Sequence, residues 1–272
     1  VGLGDDFDTA GRGLYKTVNG GASWTAATGL GNQTATHTIL ALSGTVILVG
    51  GNNGMKRSTD GGSTFGAVSL GGSSTGNIWT IKALSATELI CSRQSGSTGT
   101  IWYSSDSGAS WTQASISGVT PQRISVATSA ASSTTAWGIC QQAGGYIARG
   151  LMKTTDKGHT WTFVAAPDVA GGLFRGKGYQ DDLYQGVHQD GAQAFYNHGL
   201  AVDPANSNRV FVGANLNLFA TTDGGSSWNQ LTSWTASGHV YAHADFHTTT
   251  WSKTGASALY IGNDGGLSIL RD

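Results

Sequence analysis

One short pattern recurs along this 272-residue chain and constrains its fold more than any other feature. It first reads Thr17-Val-Asn19-Gly-Gly21-Ala-Ser-Trp24, then Ser58-Thr-Asp60-Gly-Gly62-Ser-Thr-Phe65 and Ser104-Ser-Asp106-Ser-Gly108-Ala-Ser-Trp111. Thr154-Thr-Asp156-Lys-Gly158-His-Thr-Trp161 and Thr221-Thr-Asp223-Gly-Gly225-Ser-Ser-Trp228 complete the series. The closing aromatics fall 41, 46, 50 and 67 residues apart, spacings that suit one supersecondary unit per repeat. The chemistry is that of a hairpin turn. Asp or Asn accepts hydrogen bonds from turn amides, Gly supplies positive φ, and the aromatic wedges between sheets. These aspartates therefore read as structural groups.

Strand-like runs flank each copy. The clearest set is 199–204, 209–213 and 218–221 before the turn and 229–231 after it, which makes four short strands. The expected fold class is all-β: a β-propeller of four-stranded antiparallel blades. Aligning the copies yields four full blades (II to V) between two partial ones, I at about 1–30 and VI at about 239–272. All form a single domain, with six or seven blades expected in the complete domain. The partial blades suggest a piece of a longer chain, so the remaining part of that chain or neighbouring copies are expected partners.

Composition narrows the function classes. Charged residues make up 11% of the chain and the formal net charge is −1, which gives no clustered cationic surface for nucleic acid. No apolar run approaches the ~18 residues of a membrane span, so membrane insertion is not expected. Low Lys and Glu with abundant Ser, Thr and Gly points to a secreted or cell-surface protein. Cys91 and Cys140, placed at the same position of neighbouring blades, read as two buried free thiols.

In this topology the repeated turns share one face, and the strand 2–3 loops and the connections between blades share the other, with the channel mouth. The longer loops on that second face lie at 94–99, 141–150 and 166–197, and function is sought there. His37, Asn77, Gln122, His198 and His247 align at the first position of the inner strands, a ring at the mouth. If residues 243–247 are extended, alternation puts His243, Asp245 and His247 on one side. That set suits a divalent metal, an acid/base group, or a water-filled polar channel; no other cofactor is suggested. Asp5 and Asp6 follow the second strand of blade I, as Asp264 does in blade VI. Paired carboxylates across a groove are the requirement of glycoside hydrolysis, although Asn263-Asp-Gly-Gly266 is also an ordinary turn sequence. Asp190, in the long connection, is a further candidate ligand-binding residue. Trp234 and Tyr146 are best placed to stack on a sugar ring, whereas most of Trp79, Trp102, Trp137 and Trp251 read more simply as core.

The repeated motif is the Asp box, or BNR repeat, and on such blades it resembles the sialidase superfamily. The arrangement is most similar to the family 74 glycoside hydrolase and sortilin-type propellers. Asn197-His-Gly-Leu-Ala-Val-Asp-Pro204, His243-Ala-Asp-Phe-His247 and Tyr260-Ile-Gly-Asn-Asp-Gly-Gly266 extend the likeness beyond the turns. The resemblance implies an aspartate base in a turn after strand 2 and an aspartate acid from a facing propeller. Asp264 is the nearest match to the base, in a turn one residue shorter, and Asp5 and Asp6 share the equivalent location. The implied function is a secreted carbohydrate-active propeller, an aspartate-dependent hydrolase of a β-glucan or xyloglucan-like polysaccharide. The alternative is a non-catalytic glycan-binding, adhesion or structural propeller of an extracellular assembly.

Overall fold

A computed structural model describes residues 11, 13–31, 35–143, 148–164, 195–213, 216–236, 238–252 and 258–271. Those residues form strands and turns with no helix among them. Blade II comprises Thr36–Ala41, Ile47–Gly51, Gly54–Ser58 and Gly66–Val68, and blade III comprises Asn77–Ala83, Leu89–Ser95, Thr98–Ser104 and Thr112–Gln113. Blade IV is Pro121–Thr128, Ala136–Gln142, Ala148–Thr154 and Thr160–Val164; blade V is Gly199–Asp203, Asn206–Gly213, Leu218–Thr221 and Asn229–Gln230. Phe246–Trp251, Ala258–Asn263 and Gly266–Arg271 make a three-stranded blade VI, and Tyr15–Lys16 with Thr25–Ala26 make the described part of blade I. Strands within each blade are antiparallel in sequence order. The inner strands of blades II to VI lie side by side in succession.

Every core cluster lies between two blades, because alternate residues of a strand leave opposite faces of its sheet. In blade III, Leu89 and Cys91 meet Leu48 and Met55 of blade II, while the intervening Ile90 joins Ile124, Met152 and Trp161 of blade IV. Blade V repeats the division. Val210 and Val212 pack with Trp137 and Ile139 of blade IV, and Phe211 with Phe246 and Leu259 of blade VI. Middle strands buried on both faces read in sequence as unbroken apolar runs, which is why 209–213 carries no polar alternation.

The repeated turns join the third and fourth strands of blades II to V. Asp60 accepts from the Ser58 hydroxyl at 2.7 Å, the Ser63 amide at 2.9 Å and the Thr64 hydroxyl at 2.6 Å. Asp106, Asp156 and Asp223 make the corresponding bonds. Bonds led by the Thr64 hydroxyl hold Asp60 below the usual carboxylate range, and those led by Ser227 do the same for Asp223. At Asp106 partial burial opposes the shift, but bonds from Ser110, Ser104 and the Ala109 amide prevail and bring it to about 2. The second conserved-spacing glycine has two reasons to be glycine. At Gly108 φ is +79°, and a Cβ there would stand 2.5 Å from Leu48 of the preceding blade.

Several expectations are corrected by the structure. Residues 94–99 form no long loop, because Ser95 pairs with Thr98 across a tight hairpin. Blade IV gains a fifth strand, Ser115–Ser117, running parallel to Thr160–Val164 as the chain leaves blade III. Cys91 and Cys140 are buried free thiols, but their positions are not equivalent. Leu89 and Ala136 each pair with the first residue of a repeated turn, so Cys140 stands two residues further along its strand. Burial raises the Cys91 thiol well above its ordinary range. Trp24 is 47% exposed, whereas Phe65, Trp161 and Trp228 are buried. Among the described residues blade I has only two strands, so nothing there sandwiches the indole.

Asp106→Ala is expected to lower stability by about 1–2 kcal/mol at neutral pH, the low end because the turn is exposed. A depressed carboxyl stabilises above its unfolded value of ~3.9 and stops doing so once it protonates in the fold. Urea melts at several pH values should therefore show the difference from wild type shrinking between about pH 4 and pH 2. At Gly213 an added Cβ would lie 2.6 Å from the Phe246 ring carbon. Gly213→Ala should cost about 1–3 kcal/mol by overpacking the V–VI interface, measurable in the same melts.

Candidate functional site

The inner strands begin with irregular pairing, and that irregularity builds the mouth. Register shifts fall between Thr36 and Thr38, Ile78 and Thr80, Pro121 and Ile124, and Phe246 and Thr248. A bulge places an extra residue on one strand and re-aims its side chain. The residues so displaced include His37, Trp79, Arg123 and His247, while His198 directly precedes the inner strand of blade V. The ring expected from sequence had Asn77 and Gln122 in blades III and IV; the bulges put Trp79 and Arg123 there instead. Packing marks the bulge in blade III. Ile78 and Ile81 lie three apart yet enter the same inter-blade cluster.

These residues touch in a row across the blades. His37 stacks on Trp79 with ring centroids 4.3 Å apart and planes at 12°, and its Nδ1 donates to the Ile78 carbonyl at 3.1 Å. The Arg123 guanidinium lies 4.2 Å from the centroid of the same indole. Trp79, half-buried, thus meets an imidazole from blade II and a guanidinium from blade IV, and it is not simple core. Arg123 Nη1 donates to the Tyr196 carbonyl at 3.0 Å and also to the Phe195 carbonyl. The Tyr196 ring meets His247 edge-on at 4.6 Å, and His247 Nε2 contacts Asp264 Oδ1 at 2.5 Å. His198 is buried, with Nδ1 3.0 Å from Ser125 Oγ.

Asp264 occupies the tip of the two-residue turn between Ala258–Asn263 and Gly266–Arg271, where the Gly265 amide donates to Asn263 Oδ1 at 3.0 Å. The turn reading and the site reading both apply to it. Its side chain is 50% exposed and that of His247 is 28% exposed, so the pair is open to solvent. Asp245 sits beside them with φ +62°, a left-handed backbone that Asp tolerates better than most residues. Asn197, fully buried at the start of blade V, donates Nδ2–H to Asp245 Oδ1 at 2.6 Å. Burial holds the Asp245 carboxyl above the usual carboxylate range. The charge of Asp264 pushes the same way, against the Asn197 bond and His247 and His243.

The left-handed turn at Asp245 overturns one expectation. The run 243–247 is not extended, so His243, Asp245 and His247 do not line one side as a ligand set. His243 packs against Gly265, and its Nδ1 donates to the Ala244 carbonyl at 3.1 Å. Among the described residues no three His, Cys, Asp or Glu side chains are grouped to hold a metal ion. Trp234 is 42% exposed, its amide donating to Asn217 Oδ1 at 3.2 Å. Trp102 and Trp137 are buried, and Trp251 packs edge-on against Phe211 at 5.6 Å. Asp5, Asp6, Tyr146 and Asp190 lie outside the described residues.

No family model matches the chain. A xyloglucanase of Hypocrea jecorina (strain QM6a) is 33% identical over 90 residues, covering 32% of this chain and 9% of that protein. Among solved structures, an ancestral GH74 enzyme aligns over 96% of this chain with a TM-score of 0.68 and 18% identity. The chain shares its fold with GH74 propellers. The GH74 xyloglucanase from Xanthomonas campestris aligns over 84% of the chain with a TM-score of 0.53, again at 18% identity. The chain spans 33% and 35% of these two GH74 chains. At such identity the likeness carries the propeller, and the site rests on the residues above.

A testable consequence follows from Asp245. A carboxyl whose folded value is raised destabilises the fold above that value and imposes no cost once protonated in both states. Asp245→Asn keeps the shape, tolerates positive φ and still accepts from Asn197. Its melting temperature should exceed that of wild type at pH 7, and the gain should vanish below about pH 4. An equal gain at both pH values would contradict the raised carboxyl.

Proposed function

We propose that this chain belongs to a secreted carbohydrate-active propeller that cleaves a β-glucan or xyloglucan-like polysaccharide, with Asp245 and Asp264 as its carboxylates. One observation carries the reading. At the channel mouth an open carboxylate contacting His247 stands beside a second carboxyl that burial and its neighbour's charge keep protonated to higher pH. Glycoside hydrolysis needs two carboxyl groups in opposite protonation states at one pH. Asp245, protonated, donates its proton to the departing glycosidic oxygen. Asp264, open to solvent beside His247, deprotonates the attacking water or stabilises positive charge developing on the sugar. Tyr196, 40% exposed and edge-on to His247, and the exposed Trp234 offer flat apolar surface for sugar rings. The polysaccharide class is that of the xyloglucanase relative. Secretion is supported by the low charge of the chain and by the same likeness.

The test is release of reducing ends from xyloglucan and from an unbranched β-glucan by the full-length protein. Turnover should fall about 10²–10⁴-fold in Asp245→Asn and in Asp264→Ala. Unchanged turnover in both variants, or none in wild type on any glycan of a broad panel, overturns the catalytic reading.

A second reading has its own observation. Blade VI presents Leu267 at 68% and Ile269 at 43% exposure on its last described strand, an apolar face open to a further strand of the domain or to a neighbouring molecule in an assembled structure. Light scattering on wild type and on Leu267→Lys with Ile269→Lys distinguishes it. A self-associating wild type dispersed by the substitutions, with no glycan turnover, favours the structural role.

A further inference from the structure

Tyr196 and Asn197 are adjacent in sequence and reach the two carboxylates separately. Tyr196 lies edge-on to His247, the contact of Asp264. Asn197 donates directly to Asp245. Both residues come from the start of blade V, whereas the carboxylates and His247 belong to blade VI and the segment leading into it. The pair is in turn held from blade IV, where Arg123 donates to the carbonyls of Phe195 and Tyr196. Arg123 itself lies against the indole of Trp79 from blade III, on which His37 of blade II also stacks. Residues of five successive blades thus meet in a single row.

We infer that the dipeptide Tyr196-Asn197, clamped through its backbone by Arg123, is the positioning element that sets both carboxylates of the mouth. The inference rests on the reading of Asp245 and Asp264 as the reactive pair. A blade interface is apolar and fixes sheets, not the headings of exposed polar groups at their ends. The headings need directional contacts, and these two residues supply them. Asn197 engages Asp245 Oδ1 and so leaves Oδ2 to carry the proton when the group is neutral. Tyr196 restricts the imidazole plane of His247 and with it the approach to Asp264 Oδ1. Both carbonyls are met by one guanidinium nitrogen, Nη1, and the guanidinium suits the clamp because its planar group also lies against the Trp79 ring, a contact an ammonium does not reproduce. Stacking on Trp79 removes much of the rotational freedom that a long side chain otherwise keeps.

The arrangement predicts a separable pattern of effects. The experiment follows the side-chain carboxyl carbon of Asp245 and the ring resonances of His247 by NMR at fixed pH in the full-length protein. Asn197→Leu should move the Asp245 carboxyl and leave the His247 ring in place. Tyr196→Leu should move the His247 ring, through loss of the aromatic ring current, and leave Asp245 in place. Arg123→Leu should move both, and Arg123→Lys should restore neither fully. With Asn197→Leu the titration of Asp245, which Asp264, His247 and His243 also influence, should shift upward by about one pH unit as a donor to the charged form is lost. Amide spectra elsewhere report whether each variant folds, and Arg123→Lys stands in if Arg123→Leu does not.

Xyloglucan turnover, measured in parallel, should fall in kcat by about tenfold or more with KM little changed. Arg123 variants that leave both resonances unmoved, or single variants that move both alike, overturn the inference. If wild type turns over no glycan but the NMR pattern holds, the positioning stands and the hydrolytic reading alone fails.

Discussion

Burial of sheet faces between blades is the constraint on which the rest of this structure depends. A four-stranded sheet this small has no core of its own, so each strand sends alternate side chains into the interface before it and the interface after it. Leu89 and Cys91 go one way and Ile90 the other, and Val210, Phe211 and Val212 repeat the division. The repeated turns serve this arrangement. Their hydroxyl-rich carboxylate nets close the hairpins, and glycines such as Gly108 let the turn lie flat against the preceding blade. No catalytic work is asked of Asp60, Asp106, Asp156 or Asp223, whose oxygens are engaged by the turn itself.

The opposite face is where regularity breaks. Bulges at the starts of the inner strands turn polar and aromatic side chains toward the mouth, and a left-handed residue at Asp245 swings one carboxyl out of alternation. These irregularities would be penalties in a purely structural sheet. Here they bring two imidazoles, a guanidinium, an indole and a phenol ring into one row of successive contacts that ends at two carboxylates. Strain and irregular pairing concentrated at one end of a regular scaffold are the usual mark of a functional surface.

The propeller was legible because its cause is local and repeated: turn chemistry at intervals, with apolar runs between. The mouth was legible only in part. Alignment found His37, His198 and His247 because they occupy corresponding places in successive copies, and Asp264 because it follows the second strand of its blade. It put Asn77 and Gln122 where Trp79 and Arg123 belong, since a bulge shifts the count without leaving a gap in the sequence. It also grouped His243 with Asp245 and His247 by assuming an extended backbone, which the positive φ of Asp245 denies.

The sequence by itself determined the all-β class, the repeated antiparallel unit and the turn chemistry of the repeated aspartates, because each depends on residues within one hairpin. Tertiary structure alone decided which side chains meet at the mouth. The contacts that join Trp79, Arg123, Tyr196, Asn197 and His247 run between blades, across long sequence separations. Their partners depend on local bulges and on the packing angle of neighbouring sheets, and neither quantity is written in any single repeat.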